Sequence, residues 1–309
     1  MDESKEYLIL RYSLIEDKQS SLDFQSIPAP KGKAVLIAIN QEREFAINGS
    51  RYSFVGFSEV KPSFGFTFPS SRFFFGKIAR LKKINMGIKV PGDIVETKED
   101  NWIPVITIFD TESQHIFVKK DHRFGDPEHI MKVIQGGLRD PILALYNHRV
   151  FVEGKTKTEH FWRIISKHQK IYKLELNLIS PNILETNLRA REALAALKSL
   201  FAQDEVSVKL ENEAGELRVP KDPVGNYLEY IEEGEGSWSV TTENSRGGKK
   251  RHSSAQNTET IDLPIIEEQD SPEIEQLDID ELSDSTKKAN IVTKIISIIY
   301  DEVSKIRER

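Results

Sequence analysis

The chain contains no cysteine among its 309 residues. That excludes disulfides and thiolate metal sites and suits a reducing compartment. Apolar runs are also short. None approaches the roughly 20 residues that a membrane helix requires, so a membrane partner is not expected. The first residues, MDESKEYLIL, lack the basic region and long apolar stretch of a signal peptide, and the expected location is cytoplasmic, in a bacterial-type protein. Missing as well are GxxxxGK[ST], a GxGxxG following a strand, HExxH and GxSxG. The commonest NTPase, dinucleotide, zincin and hydrolase chemistries therefore have no carrier, and no cofactor is expected. Hydrophobic residues make up only 38% of the chain and charged residues 30%, a composition with a lean core.

The clearest local signal runs from Ile171 to Phe201. Leu174, Leu176 and Leu178 alternate with Lys173, Glu175 and Asn177, the period of a half-buried strand. Pro181 ends that strand, and Asn182 with Glu185 predicts a capped helix carrying Ile183, Ala190, Leu194, Leu197 and Phe201 on one face. Upstream, residues 1–120 predict a mostly antiparallel sheet. Its runs are Tyr7–Tyr12, Ala34–Asn40, Phe45–Ile47, Tyr52–Phe57 and Ile103–Phe109, with a hairpin at Asn48-Gly49 and another turning at Thr111–Gln114. Asp126-Pro127-Glu128 then opens a helix that Gly136-Gly137 should stop. The order that follows is strand HRVFVEG, helix Thr158–His168, the alternating strand, a helix and strand VSVKLEN. It predicts an α+β fold with a split βαβ-like layer.

Four regions result: a β-rich domain at 1–120, an α+β domain at 121–266, an acidic linker at 267–285 and an amphipathic helix at 286–309. Within the second region, Tyr227–Glu233 predicts one or two helical turns, SWSVTT a strand and Arg246–Ser254 a mobile basic loop. The linker is acidic and poor in aromatics, as disordered segments are. The terminal helix places Ile291, Ile295, Ile298, Ile299, Val303 and Ile306 on one side, to close the body or to pair with a second copy.

Charge is unevenly spread. Residues 51–200 hold 24 Lys and Arg against 16 Asp and Glu, whereas residues 201–309 hold 13 against 25. Basic and aromatic residues interleave between Phe64 and Lys89, and Lys77, Arg80, Lys82, Lys83 and Lys89 are candidates for phosphate contact. Arg246, Lys249, Lys250 and Arg251 form a second basic patch. The alternative for the first patch is a sheet core with a solvated lysine edge. Asp140, Glu153 and Lys155 match the spacing of a PD-(D/E)xK nuclease, in which two acids hold a divalent cation and the lysine stabilises developing charge. Against this, Asp140-Pro141 reads as a cap. Asp93, Glu96 and Lys98 are spaced too closely for the same layout. His115, Asp121, His122, Asp126 and His129 crowd together but fall on different elements, which suits surface histidines better than a metal.

Element order carries one resemblance: GKIARLKKI, a hairpin ending in HIFV, a helix, the leucine-alternating strand closed by Pro-Asn, then YIEEGEG and SWSVTTENSRGGKKRHSS. Over residues 1–265 this looks like a bacterial domain-of-unknown-function family often carried near mobile elements. The layout is also similar to the antiphage proteins RexA and KwaB. The resemblance implies a nucleic-acid-sensing or partner-binding role in phage defence and transfers no catalytic residue. The function expected is a non-enzymatic DNA- or RNA-binding defence component, with self-association or a protein partner through the terminal helix. The alternatives are the magnesium-dependent nuclease and a protein-interaction subunit.

Overall fold

The computed structural model describes residues 4–17, 24–61, 68–179 and 205–264, together with 292, 294–301 and 303. The helix expected after Asn182 and the acidic linker at 267–285 lie outside the described residues.

Two antiparallel sheets and several helices make an α+β fold. The first sheet is built on β1 (Ser4–Glu16), which runs beside β6 (His115–Lys119) on one side. On its other side β1 is met first by β12 (Thr260–Pro264) and then by β7 (His148–Gly154). From β6 the sheet continues through β5 (Asp93–Asp110), β4 (Phe73–Val90), β3 (Ser50–Glu59) and β2 (Arg43–Ile47). Strands from both of the predicted domains thus share one sheet.

Alternation divides β1 cleanly. Leu8, Leu10, Tyr12 and Leu14 face a core that includes Ile130, Val133, Ile134, Leu138 and Ile142 of α2 (Pro127–Tyr146). Tyr7 and Ile9 face the opposite core, where Ile295, Ile296, Ile299 and Val303 of the C-terminal helical residues meet Phe73, Phe75, Ile106 and Ile108. Among the described residues, the apolar side of the terminal helix therefore packs on its own sheet.

The second sheet has the order β11 (Lys249–Ser253), β10 (Gly236–Glu243), β8 (Ile171–Ile179), β9 (Glu205–Glu211), all antiparallel. Leu174, Leu176 and Leu178 bury one face against Phe161 of α3 (Thr158–Lys167) and Leu228 and Ile231 of α4 (Lys221–Glu232). The expected split βαβ layer is not what these strands form. β7 pairs with β1 in the first sheet while β8 starts the second, so α3 passes between sheets rather than returning to the same one.

Local signals fared unevenly. Asn48 and Gly49 take the positive φ values, 49° and 78°, of a tight hairpin. Asp126 caps α2 by accepting from the His129 N–H at 2.8 Å. By contrast Gly136-Gly137 do not stop that helix, which runs on to Tyr146. A Cβ on Gly137 would lie 2.6 Å from the rings of Phe45 and Phe54, so the glycine lets β2 and β3 approach the helix. The run Ala34–Asn40, expected as a strand, is a 3₁₀ turn (Lys31–Val35) followed by the short α1 (Leu36–Ile39). A short apolar run has no period that separates strand from helix, and here Ala34, Val35, Ala38 and Ile39 pack in the α2 core.

Candidate nucleic-acid interface

The five cations of the first basic patch do not form one surface. On β4, Arg80 and Lys82 share parity with Ile78 and lie on the α2 side. There Arg80 Nη1 donates to the Phe124 carbonyl at 2.7 Å and Lys82 Nζ to the Arg123 carbonyl at 2.6 Å. Lys77, Lys83 and Lys89 have the opposite parity and lie on the other face. The acids of β5 run beside them: Asp100 opposes Lys83, and Glu96 and Glu99 lie on the same ladder.

The second patch is ordered rather than mobile. Asn244 Oδ1 accepts from the Arg246 and Gly248 N–H groups at 2.8 and 3.0 Å, and Asn244 N–H donates to the Gly248 carbonyl at 2.7 Å. This turn, with Gly247 at φ 75°, closes β10 onto β11 as a hairpin. Its second strand, KKRHS, is an edge of the small sheet. Arg246, Lys249, Lys250 and Arg251 are all exposed. Lys249 lies over the Tyr172 ring at 4.6 Å. Among the described residues, none of the four cations is in an ion pair. The nearest carboxylate in register, Glu243, is taken by Lys170 at 2.9 Å, and that hydrogen bond holds its pKa below the usual carboxylate value.

Next to this strand lies a cleft of about 270 Å³ between α2, β7 and the outer face of the small sheet. The alternation that buries the leucines of β8 turns Lys173, Glu175 and Asn177 outward, in register with Thr241, Ser239 and Ser237 of β10. Ser237, Asn177 and Ser253 line the cleft on one wall, Lys132, Gln135 and Glu153 on the other, and Arg251 joins the lining from the hairpin. Gln135 is oriented by its Oε1, which accepts from the Val152 N–H at 2.9 Å. Glu153 is pushed up to about 7, first by burial and then by Glu205, against an opposing hydrogen bond from Ser237 and with a further push from Glu128. The Ser253 hydroxyl is buried and has no hydrogen-bond partner among the described residues. Outside the cleft, His252 approaches His168 with ring centroids 5.2 Å apart, and burial followed by His168 lowers its pKa.

The three nuclease candidates do not converge. Asp140 sits on α2 in an exposed pair with Arg139 at 2.9 Å, lining a separate depression with Asp17 and Arg149. Glu153 lies in the cleft. Lys155 is buried 4.0 Å from Glu233, and burial lowers its pKa. Asp93, Glu96 and Lys98 lie along the exposed leg of β5. The histidine-rich stretch is dispersed too: His115 bonds Ser113, Asp121 pairs with Arg123, Asp126 caps α2, and His129 bonds Tyr52. Among the described residues, no group of three His, Asp or Glu is arranged to hold a metal ion.

Sequence reasoning missed the cleft wall formed by Lys132, Gln135, Asn177, Ser237 and Ser253. Alternation in β8 and β10 marks a polar sheet face, but nothing in the sequence says that α2 and β7 lie opposite it.

Fold and site together define an α+β protein with a polar cleft beside a basic sheet edge, and among the described residues no helix is long and apolar enough to cross a membrane. No protein-family model, curated protein or solved structure matches the chain.

Proposed function

We propose that this protein binds nucleic acid without acting on it, through the β10–β11 hairpin, as a component of bacterial antiphage defence. The observation that carries the reading is the set of four exposed cations on one ordered hairpin, none of them in an ion pair among the described residues. Arg246, Lys249, Lys250 and Arg251 contact backbone phosphates, whereas Lys132 across the cleft is paired with Glu128 at 2.8 Å. Phosphate contacts of this kind release counterions, so affinity falls steeply with salt. The defence role rests on the resemblance in element order.

The test is a titration of labelled single- and double-stranded DNA and RNA at low and physiological salt, with and without magnesium. Four phosphate contacts predict a log–log salt slope of about −3 to −4 on duplex DNA. That corresponds to about a hundredfold loss of affinity between roughly 50 and 200 mM salt. Lys250→Glu with Arg251→Glu should weaken binding at least tenfold, while Lys83→Glu with Lys89→Glu should leave it nearly unchanged. Undiminished binding by the hairpin variant refutes the site. Cleavage in magnesium refutes the non-enzymatic reading and turns attention to Glu153, the one nuclease candidate that lies in the cleft.

A further inference from the structure

The cleft beside the hairpin holds hydrogen-bonding capacity that the fold does not use. Gln135 spends its Oε1 on the Val152 N–H, and Asn177 spends its Oδ1 on the Ser207 hydroxyl at 2.8 Å. Each amide keeps an NH2 group with no partner among the described residues. Ser253 stands opposite Ser239 in the β10–β11 ladder, and Ser239 opposes Glu175 in the ladder with β8. Directly opposed residues share a face of the sheet, so Ser253 points to the side of Glu175 and Asn177, into the cleft that it lines. It is 6% exposed, and its hydroxyl is unpartnered among the described residues. Buried polar groups are ordinarily hydrogen-bonded. This one marks the place of a ligand atom.

The unused groups describe what would fill the space. Two amide NH2 groups and a hydroxyl ask for acceptors. Glu153, which takes a hydrogen bond from Ser237, keeps lone pairs for a donor. Met131 and Val152, both buried, add an apolar surface to the same lining. A flat ring with a carbonyl oxygen beside an N–H meets all of these, and thioethers make favourable contacts with aromatic rings. The cleft volume of about 270 Å³ falls just under the roughly 300–1,000 Å³ of ordinary small-molecule sites. It admits one small ring system and no duplex. Charge is ordered as well. Glu153 lies inside with Glu205 near it, while the exposed Arg251 joins the lining from the hairpin. A neutral body with an anionic end suits that order.

We propose that the cleft binds a keto nucleobase (uracil, thymine or guanine) of a nucleotide whose phosphate lies on Arg251. The base carbonyl accepts from the amides of Gln135 and Asn177 or from Ser253, and the ring N–H donates to Glu153. Adenine and cytosine present an amino group to those donors and a lone pair to the carboxylate, so they fit poorly. The nucleotide is either free or an unpaired position in an oligonucleotide held by the hairpin. The second source rests on the nucleic-acid reading above; the first does not.

Calorimetric titration of the full chain at pH 8, where Glu153 is a carboxylate, is the first arm of the test. Uridine and guanosine monophosphates should bind about tenfold tighter than adenosine and cytidine monophosphates or ribose phosphate. The second arm compares an oligothymidine with an abasic oligonucleotide of equal length, on wild type and on Ser253→Ala. Oligothymidine should bind wild type more tightly, and Ser253→Ala should remove about tenfold of that margin without changing abasic binding. Losing an unsatisfied hydroxyl should not lower the urea midpoint, which separates a lost ligand contact from a damaged fold. Mononucleotide binding identifies a free ligand, and a base preference confined to oligonucleotides identifies the strand. Salt-sensitive binding of both oligonucleotides alike, with no mononucleotide bound, overturns the cleft proposal and leaves the hairpin reading standing. Mononucleotide binding with no oligonucleotide bound overturns the hairpin reading alone. Equal binding of all four mononucleotides, binding of ribose phosphate as tight as theirs, or indifference to Ser253→Ala overturns the proposal.

Discussion

Glu153 shows how one side chain in the cleft ties stability to pH. Its folded pKa stands near 7 against an ordinary 4.5, so between those values the folded state holds a proton that the unfolded chain has released. Unfolding then releases a proton, and stability declines as pH rises through that window. Below about 4.5 both states are protonated and the penalty vanishes; above about 7 it is fully present. Glu153→Gln removes the titrating group while keeping the shape and most of the hydrogen bonding. The variant should match wild type near pH 4.5 and exceed it by on the order of 1–3 kcal/mol at pH 8, read from urea melts at several pH values. A wild-type advantage that grows toward pH 8 would mean that Glu153 is stabilised as a carboxylate by a cation. The sequence singled out this glutamate for a spacing that the structure does not use. The property it has comes first from burial, then from Glu205 and Glu128 against an opposing hydrogen bond from Ser237; the second sheet brings Glu205 and Ser237 near, and α2 brings Glu128.

Among elements, the C-terminal helix was half legible. Its isoleucines and Val303 advertise an apolar face, and 3.6-residue periodicity is a local property that sequence records well. What that face meets is not local. Ile295, Ile296, Ile299 and Val303 cover Phe73, Phe75, Ile106 and Ile108, and the Tyr300 ring lies 4.7 Å from the Arg72 guanidinium, which Asp110 grips through two hydrogen bonds at 2.8 and 3.0 Å. Phe73 stands on the same guanidinium at 4.9 Å. The described part of the helix is thus a part of the fold, its Ile295, Ile296, Ile299 and Val303 packed on the sheet. Ile299→Ala should cost about 2–5 kcal/mol by chemical denaturation. Ser297→Ala, at an exposed hydroxyl that bonds only within the helix, should stay within about 0.5 kcal/mol. Equal and small effects would show that the helix does not hold the sheet in solution. The basic hairpin was misread for a related reason. RGGKK looks mobile by composition, yet Asn244 folds it by satisfying the turn N–H groups with one side-chain oxygen.

For the molecule as a whole, the question is what makes two sheets behave as one body. The junction is polar. Arg11 of β1, 6% exposed, donates from Nη1 to the Glu233 carbonyl and pairs through Nη2 with Glu235, 1% exposed, each at 2.9 Å. Gly234 between these two partners has φ 79°, and a Cβ there would lie 2.8 Å from that of Arg11. Lys155 with Glu233 and Lys157 with Glu259 flank the same seam. None of this is visible in a residue pattern, because a lone Arg in a strand and a glutamate in EEGEG look like ordinary surface charge until the chain returns one to the other across more than 220 positions. Such a pair contributes less through attraction than it costs when broken. Arg11→Ala removes the buried cation that pairs with Glu235 and should destabilise by about 3–5 kcal/mol. Arg11→Met combined with Glu235→Leu removes both charges and should recover most of that loss, since well-packed apolar replacements of buried pairs are often neutral. The melt itself discriminates further. If the seam couples the sheets, wild type unfolds in one transition and Arg11→Ala separates it into two. A single transition in both, with additive losses in the double variant, would place the coupling outside this seam.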